Sequence, residues 1–126
     1  MNSVINTSKA PAPIGPYNQA ILAGNTLYIS GQIPINPETN ELVQDSIIQE
    51  TKQVLENLKA VINEAGFELS DIVKTSIFLS NMDFFVEVNE VYAGYFNNNA
   101  APARETVAVS TLPKNVNVEI SAIAVK

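Results

Sequence analysis

Arg104 is the one arginine in the chain, and it follows Pro102-Ala103 at the start of a predicted strand. A guanidinium fork suits a planar carboxylate, which it holds through two parallel hydrogen bonds. On that strand Arg104, Thr106, Ala108 and Ser110 share a face, and the same face can carry Glu119. Glu119 is an isolated carboxylate between Val118 and Ile120. A carboxylate so placed is either paired structurally or poised to orient a water. The plain alternative for Arg104 is a structural ion pair with Glu119 or Glu105. Tyr17, after Gly15-Pro16, can project a phenol into a cleft. Ser30-Gly31 at a strand end offers a hydroxyl and an unobstructed backbone N–H. Taken singly, neither is more than an ordinary turn would show.

The residues that are missing narrow the chemistry further. The chain has no Cys and no His. That removes disulfides, thiolate catalysis, zinc–sulfur sites, Ser-His-Asp triads and the usual near-neutral base. Acid–base work falls to carboxylates, Tyr, Lys, hydroxyls or bound water. Five scattered glycines make no phosphate-binding loop, and no acidic cluster has calcium-loop spacing. The residues therefore call for neither metal nor cofactor. Seven Lys and Arg stand against 13 Asp and Glu, a net charge of −6, so nucleic acid is a poor partner. No apolar run approaches the roughly 20 residues of a membrane span, and the N-terminus lacks a signal-peptide pattern. The chain reads as soluble and cytoplasmic.

At 126 residues, 46% of them apolar, the chain suits one domain spanning residues 1–126. Its charged fraction of 16% is below the roughly 25% usual for soluble domains, so part of the surface is expected to be covered by further copies. A short strand is predicted at Ser3–Asn6, then a proline-rich loop over Thr7–Tyr17. Gln19–Ala23 and Thr26–Ser30 flank Gly24-Asn25 as a hairpin, and Gly31–Asn40 is a loop. Ile48, Thr51, Leu55, Leu58, Ile62 and Ala65 mark a helix over Ser46–Ala65, with a capping box from Ser46 and Gln49 and a stop at Gly66. Ile72–Leu79 is a strand. A second helix starts near Asp83, carries Phe85, Val88, Tyr92, Tyr95 and Phe96, and ends at Asn97-Asn98-Asn99. Arg104–Ser110 and Val116–Val125 alternate about Leu112–Asn115 like a hairpin. The order predicts an α+β sandwich, a sheet covered by two helices on one face. On the last strand Val116, Val118, Ile120, Ala122 and Ala124 face the core. Asn117, Glu119, Ser121, Ile123 and Val125 face away, a mixed surface suited to an oligomer interface with pockets between subunits.

Several separated motifs together resemble the Rid family, whose best-known branch is the reactive imine deaminases, also called YjgF-type proteins. They are Ala12-Pro13-Ile14-Gly15-Pro16-Tyr17, Ser30-Gly31-Gln32-Ile33-Pro34, Phe85 with Val88-Asn89, Pro102-Ala103-Arg104, Leu112-Pro113 and Val118-Glu119-Ile120. The resemblance spans nearly the whole chain. It implies a chorismate-mutase-like α+β fold and a homotrimer with clefts between subunits. It implies that Arg104 binds a substrate carboxylate and that Gly31 and Thr106 donate backbone N–H groups. Tyr17, Ser30 and Glu119 would line the pocket, with Glu119 orienting the attacking water. Asn89 and Phe85 would approach from a neighbouring subunit's second helix. Two positions depart from the family pattern: Thr106 stands where many members have Cys, and Glu105 where most have a small residue. As strand neighbours, Arg104 and Glu105 should face opposite ways. The implied reaction is cofactor-free hydrolysis of 2-imino acids, such as 2-aminoacrylate and 2-iminobutanoate, to 2-oxo acids and ammonia. The competing readings are a 2-oxo-acid-binding or chaperone-like trimer without turnover, and a ribonuclease, against which the charge argues.

Overall fold

The predicted long helix forms where its apolar stripe and caps place it. Helix α1 spans Ile47–Glu64 in the computed structural model, which describes residues 2–97 and 99–126. Extended backbone at Ser46 lets its hydroxyl accept from Gln49 N at 3.1 Å, which satisfies one free amide of the first turn. Val54, Leu55, Leu58, Val61 and Ile62 are fully sealed, each contributing about 1.5–3 kcal/mol through burial. Gly66, at φ +80°, turns the chain out of the helix in a left-handed conformation costly to other residues.

Strands β1 (Ser3–Ile5), β2 (Ala20–Ala23), β3 (Thr26–Gln32), β6 (Ile72–Leu79), β7 (Ala103–Ala108) and β8 (Val118–Val125) build one sheet, in the order β1-β2-β3-β8-β6-β7. All neighbours are antiparallel except β6 and β7, which are parallel and joined through helix α2 (Phe85–Ala93). Both helices pack on one face, as expected for an α+β fold, and their apolar sides merge with Leu27, Ile77 and Ile120 in one core. The split of β8 also follows its alternation. Val118, Ile120, Ala122 and Ala124 are buried, whereas Glu119, Ser121 and Ile123 are half-buried on the open face. Tyr28, paired with Ile123, and Val107, whose neighbour Phe78 pairs with Glu119, extend that open face. Among the described residues, no helix is long and apolar enough to cross a membrane.

Three expectations need correction. Strands β7 and β8 do not form a hairpin, because β6 lies between them. The exposed pattern of β7 suits an edge, while the alternately sealed β8 belongs between two neighbours. The segment Gly31–Asn40 is not all loop: β4 (Ile35–Asn36) pairs with β5 (Glu41–Leu42), in a turn that places Asn40 at φ +61°. Helix α2 ends at Ala93, capped by Gly94, earlier than the asparagine run, of which Asn98 lies outside the described residues. Glycine costs a helix about 1 kcal/mol relative to alanine, so it stops a short helix readily.

Candidate active site

Ser30 and Gly31 sit in a β-bulge. Ile29 pairs with Ala122 and Gln32 with Ile120, so two residues of β3 oppose Ser121 alone. The bulge brings the backbone of Gly31 against the side chain of Glu119. A Cβ at Gly31 would lie 2.8 Å from the Glu119 carboxyl carbon. Here glycine is required for close approach rather than for a special φ. The Glu119 carboxylate is half-buried, and burial raises its pKa above the ordinary carboxylate value. The one ion pair among the described residues is elsewhere, between Lys74 and Glu105.

Gly31→Ala therefore tests the contact. The neighbour that must move is a flexible side chain, so the fold is expected to survive. If Glu119 orients the attacking water, as the family resemblance implies, displacement of the carboxylate should lower imine turnover by about ten-fold or more, since small misplacements of a reacting group are costly. Crystallographic or spectroscopic evidence of an unmoved Glu119, with parental turnover, would count against this role for the glycine.

Beside Gly31 opens a cleft of about 330 Å³ whose walls include Pro11, Ile14, Tyr17, Ile33 and Lys114. Tyr17 N donates to Gly15 O at 2.9 Å, and Gly15 takes φ +110°. That turn aims the Tyr17 ring at the cleft, where its hydroxyl accepts weakly from Ile14 N at 3.4 Å. Ser30 lies to one side. Its hydroxyl donates to Asn18 O at 2.7 Å, and it borders a hollow of the open face with Tyr28 and Ser121. The Ser30 proton is thus already used, leaving its lone pairs for a ligand.

Arg104 lies on the other face. It pairs with Thr75, which pairs with Ala122 on the helix-covered side, whereas Glu119 pairs with Phe78 on the open side. The expectation that Arg104 and Glu119 share a face is therefore corrected. Neither Glu119 nor Glu105 balances the arginine. Instead Arg104 Nη1 donates to Asn89 Oδ1 at 2.8 Å. Its guanidinium carbon stands 4.8 Å from the Tyr92 ring centroid and 5.6 Å from that of Phe85, within range of cation–π attraction. Tyr92 is itself fixed through a 2.7 Å hydrogen bond with Thr75. The resemblance implied that Asn89 and Phe85 come from a neighbouring subunit; the chain instead brings them to its own Arg104. Arg104, Asn89 and Tyr92 border a second hollow of about 370 Å³ with Pro102 and Phe96.

Glu105 turns the opposite way, as expected of a strand neighbour. It accepts from Ser76 Oγ and from Lys74, whose Nζ is 2.9 Å away. These bonds, the serine's first, lower its pKa below the ordinary carboxylate value. Strand β7 is also the sheet's outer strand. Val109 N donates inward to Leu79 O at 2.9 Å. The two-residue repeat then turns the N–H groups of Glu105 and Val107 inward and those of Arg104 and Thr106 toward the free edge. Thr106 thus has the free backbone N–H its proposed role needs, while its own Oγ1 is buried without a partner.

Two separate groups of candidate residues result: Gly31 against Glu119, beside the Tyr17 cleft, and Arg104 with Asn89, with Thr106 on the same strand. A family profile described as Endoribonuclease L-PSP matches residues 7–126. A solved structure of a Rid family protein from Yersinia pestis is 51% identical, covers 100% of both chains and superposes with a TM-score of 0.97. The chain belongs to the Rid family. A RutC family protein from Pyrococcus horikoshii is 54% identical over 100% of this chain and 99% of its own length. A protein of Dermatophagoides farinae named 2-iminobutanoate/2-iminopropanoate deaminase is 48% identical over 97% of this chain and 94% of its own length. Within this Rid chain, sequence reasoning placed Tyr92 on the second helix, where the structure buries it in the core, but missed its second role as the platform under Arg104. The available signal was its position three residues after Asn89, on the same side of a helix. Lys114, at the cleft mouth, was seen only as a turn residue.

Proposed function

We propose that this Rid protein hydrolyses 2-imino acids to 2-oxo acids and ammonia, in three sites formed between neighbouring copies of a homotrimer. One observation carries the reading. A carboxylate anchor, Arg104, and an unpaired half-buried carboxylate, Glu119, lie two strands apart on opposite faces of one sheet. A site using both draws them from different copies. Head-to-tail contacts of that kind close into a ring, and the open sheet face, with Tyr28 and Val107 exposed, provides apolar surface for such contacts.

In the assembled site the Arg104 fork grips the substrate carboxylate, with Asn89 fixing its angle and Tyr92 and Phe85 stacking against it. The N–H groups of Thr106 and Gly31 add neutral donors. Glu119 accepts a proton from a water as the water's oxygen bonds to the C=N carbon, the C=N π pair moves to nitrogen, and the nitrogen takes up a proton from solvent. In the resulting carbinolamine the proton held by Glu119 passes to the amine, the C–N bond breaks to release ammonia, and the hydroxyl oxygen forms the C=O of the product as its proton returns to solvent. Tyr17 closes the cleft over this centre, and Ser30 keeps the bulge in place. The imine carbon is already electrophilic, so fixing the carboxylate and aiming the water supply what the reaction needs.

The test is imine clearance in an assay coupled to a dehydratase that releases enamines, read beside 2-oxo acid binding. Faster 2-oxo acid formation supports the reading, whereas binding without acceleration leaves a ligand-binding trimer. The net charge of −6 disfavours RNA as the substrate. In dilute solution the particle mass should be near three times 13.6 kDa; a monomer would remove the shared site.

A further inference from the structure

Among the described residues, the buried polar side chains include Gln19, Asn57 and Glu50, each about 1% exposed. We infer that these three are positioning residues for the candidate site, each fixing one of the three chain segments that wall the cleft beside Gly31. The inference rests on the imine-hydrolysis reading.

The first wall is the proline-rich segment Thr7–Tyr17. Prolines remove backbone donors, so this segment cannot hold itself with an ordinary ladder. Gln19 supplies what is missing. Its amide nitrogen reaches Thr7 O at 3.0 Å, Ala10 O at 3.3 Å and Pro11 O at 2.8 Å, and its amide oxygen accepts from Thr7 N at 2.6 Å. The second wall follows the bulge. Asn57, on α1, donates to Ile33 O at 3.0 Å and Ile35 O at 2.9 Å, one carbonyl on each side of Pro34. Gln53 braces it, donating to Asn57 Oδ1 at 2.9 Å. The third wall contains Pro113 and Lys114, and Lys114 and Asn115 take φ +56° and +57°. Glu50 closes that segment by accepting from Asn117 N at 3.1 Å and Asn117 Nδ2 at 2.8 Å. Asn117 in turn accepts from Ser80 Oγ at 2.6 Å and precedes Glu119 by two residues.

These bonds all converge on the Gly31–Glu119–Tyr17 half. The Arg104 half is held separately, through Asn89 and Tyr92. That separation distinguishes a positioning role from a merely structural one. Loosening a wall should misplace the water and its base, lowering kcat, while the carboxylate anchor keeps its affinity for a 2-oxo acid.

The experiment compares full-length parent, Gln19→Met, Asn57→Leu and the milder Gln53→Ala, all well below each variant's melting temperature. Turnover is read in the coupled imine assay and affinity with 2-oxobutanoate. The expected result is a fall in kcat of about ten- to a hundred-fold in the first two and several-fold in Gln53→Ala. The affinity for 2-oxobutanoate should stay within about three-fold of the parent. Folded variants that melt earlier yet keep parental kcat would overturn the inference and leave these side chains purely structural. If the first two do not fold, Gln53→Ala decides by the same criterion. A parent without imine turnover would sink the proposed function itself, and the positioning role with it, before any variant is compared.

Discussion

The Glu119→Gln protein is expected to bind 2-oxo acids like the parent while turning over imine roughly 10²-fold more slowly or worse. Glutamine keeps the size and one acceptor, so the contact with Gly31 persists, but it cannot take a proton from water. Burial raises the pKa of Glu119, so the acid limb of the parental pH–rate profile should lie above the usual carboxylate range. Below that pKa the group is protonated and cannot serve as a base, and the limb should vanish from the residual activity of the variant. Stability gives an independent check. A carboxyl whose folded pKa exceeds its unfolded one binds more protons when folded, so stability falls as pH rises through the folded pKa. The glutamine variant should escape that loss and be at least as stable as the parent at neutral pH. Unchanged turnover in a folded Glu119→Gln protein would remove this residue from the mechanism.

Arg104→Ala is expected to lose most imine turnover while remaining folded. Removing a bidentate charge-assisted contact costs roughly 1.5–3 kcal/mol, about ten- to a hundred-fold or somewhat more in kcat/KM. The affinity for 2-oxo acids should fall in parallel, in contrast to the glutamate variant. Arg104→Lys should recover little: an ammonium has no fork for the carboxylate and presents no flat surface to Tyr92. Both arginine variants are compared by kcat/KM and by 2-oxo acid titration. Near-parental values in folded Arg104→Ala would leave the arginine a structural partner of Asn89.

Helix α1 was legible because its information is local. The stripe from Leu55 to Ile62, the cap at Ser46 and the stop at Gly66 all lie within the segment they define. The two faces of β8 were legible for the same reason, since strict alternation sorts Val118 from Glu119 without reference to another strand. Which strand lies beside β8 is not a local property. Arg104 and Glu119 each have a definite parity within their own strands. Their relative orientation depends on registers carried through β6, and no period-two pattern encodes a register. The bulge was hidden because Ser30-Gly31 at a strand end is also ordinary turn composition. Gln19, Glu50 and Asn57 were hidden because a polar residue in an amphipathic element reads as solvated until the loops folded over it are known. The family motifs made the candidate site residues recognisable and implied that subunits share them, but not which of them one chain brings together.

The opposite facing of Arg104 and Glu119 has a consequence for mixtures. Arg104→Ala and Glu119→Gln chains, each strongly impaired alone, carry complementary defects. Combined in equal amounts and allowed to exchange subunits at random, they would place an intact arginine beside an intact glutamate in about one quarter of the sites. Complementation of this kind requires that one copy supply the anchor and another the base. If each chain completed its own site, mixing would raise activity no higher than the average of the two variants.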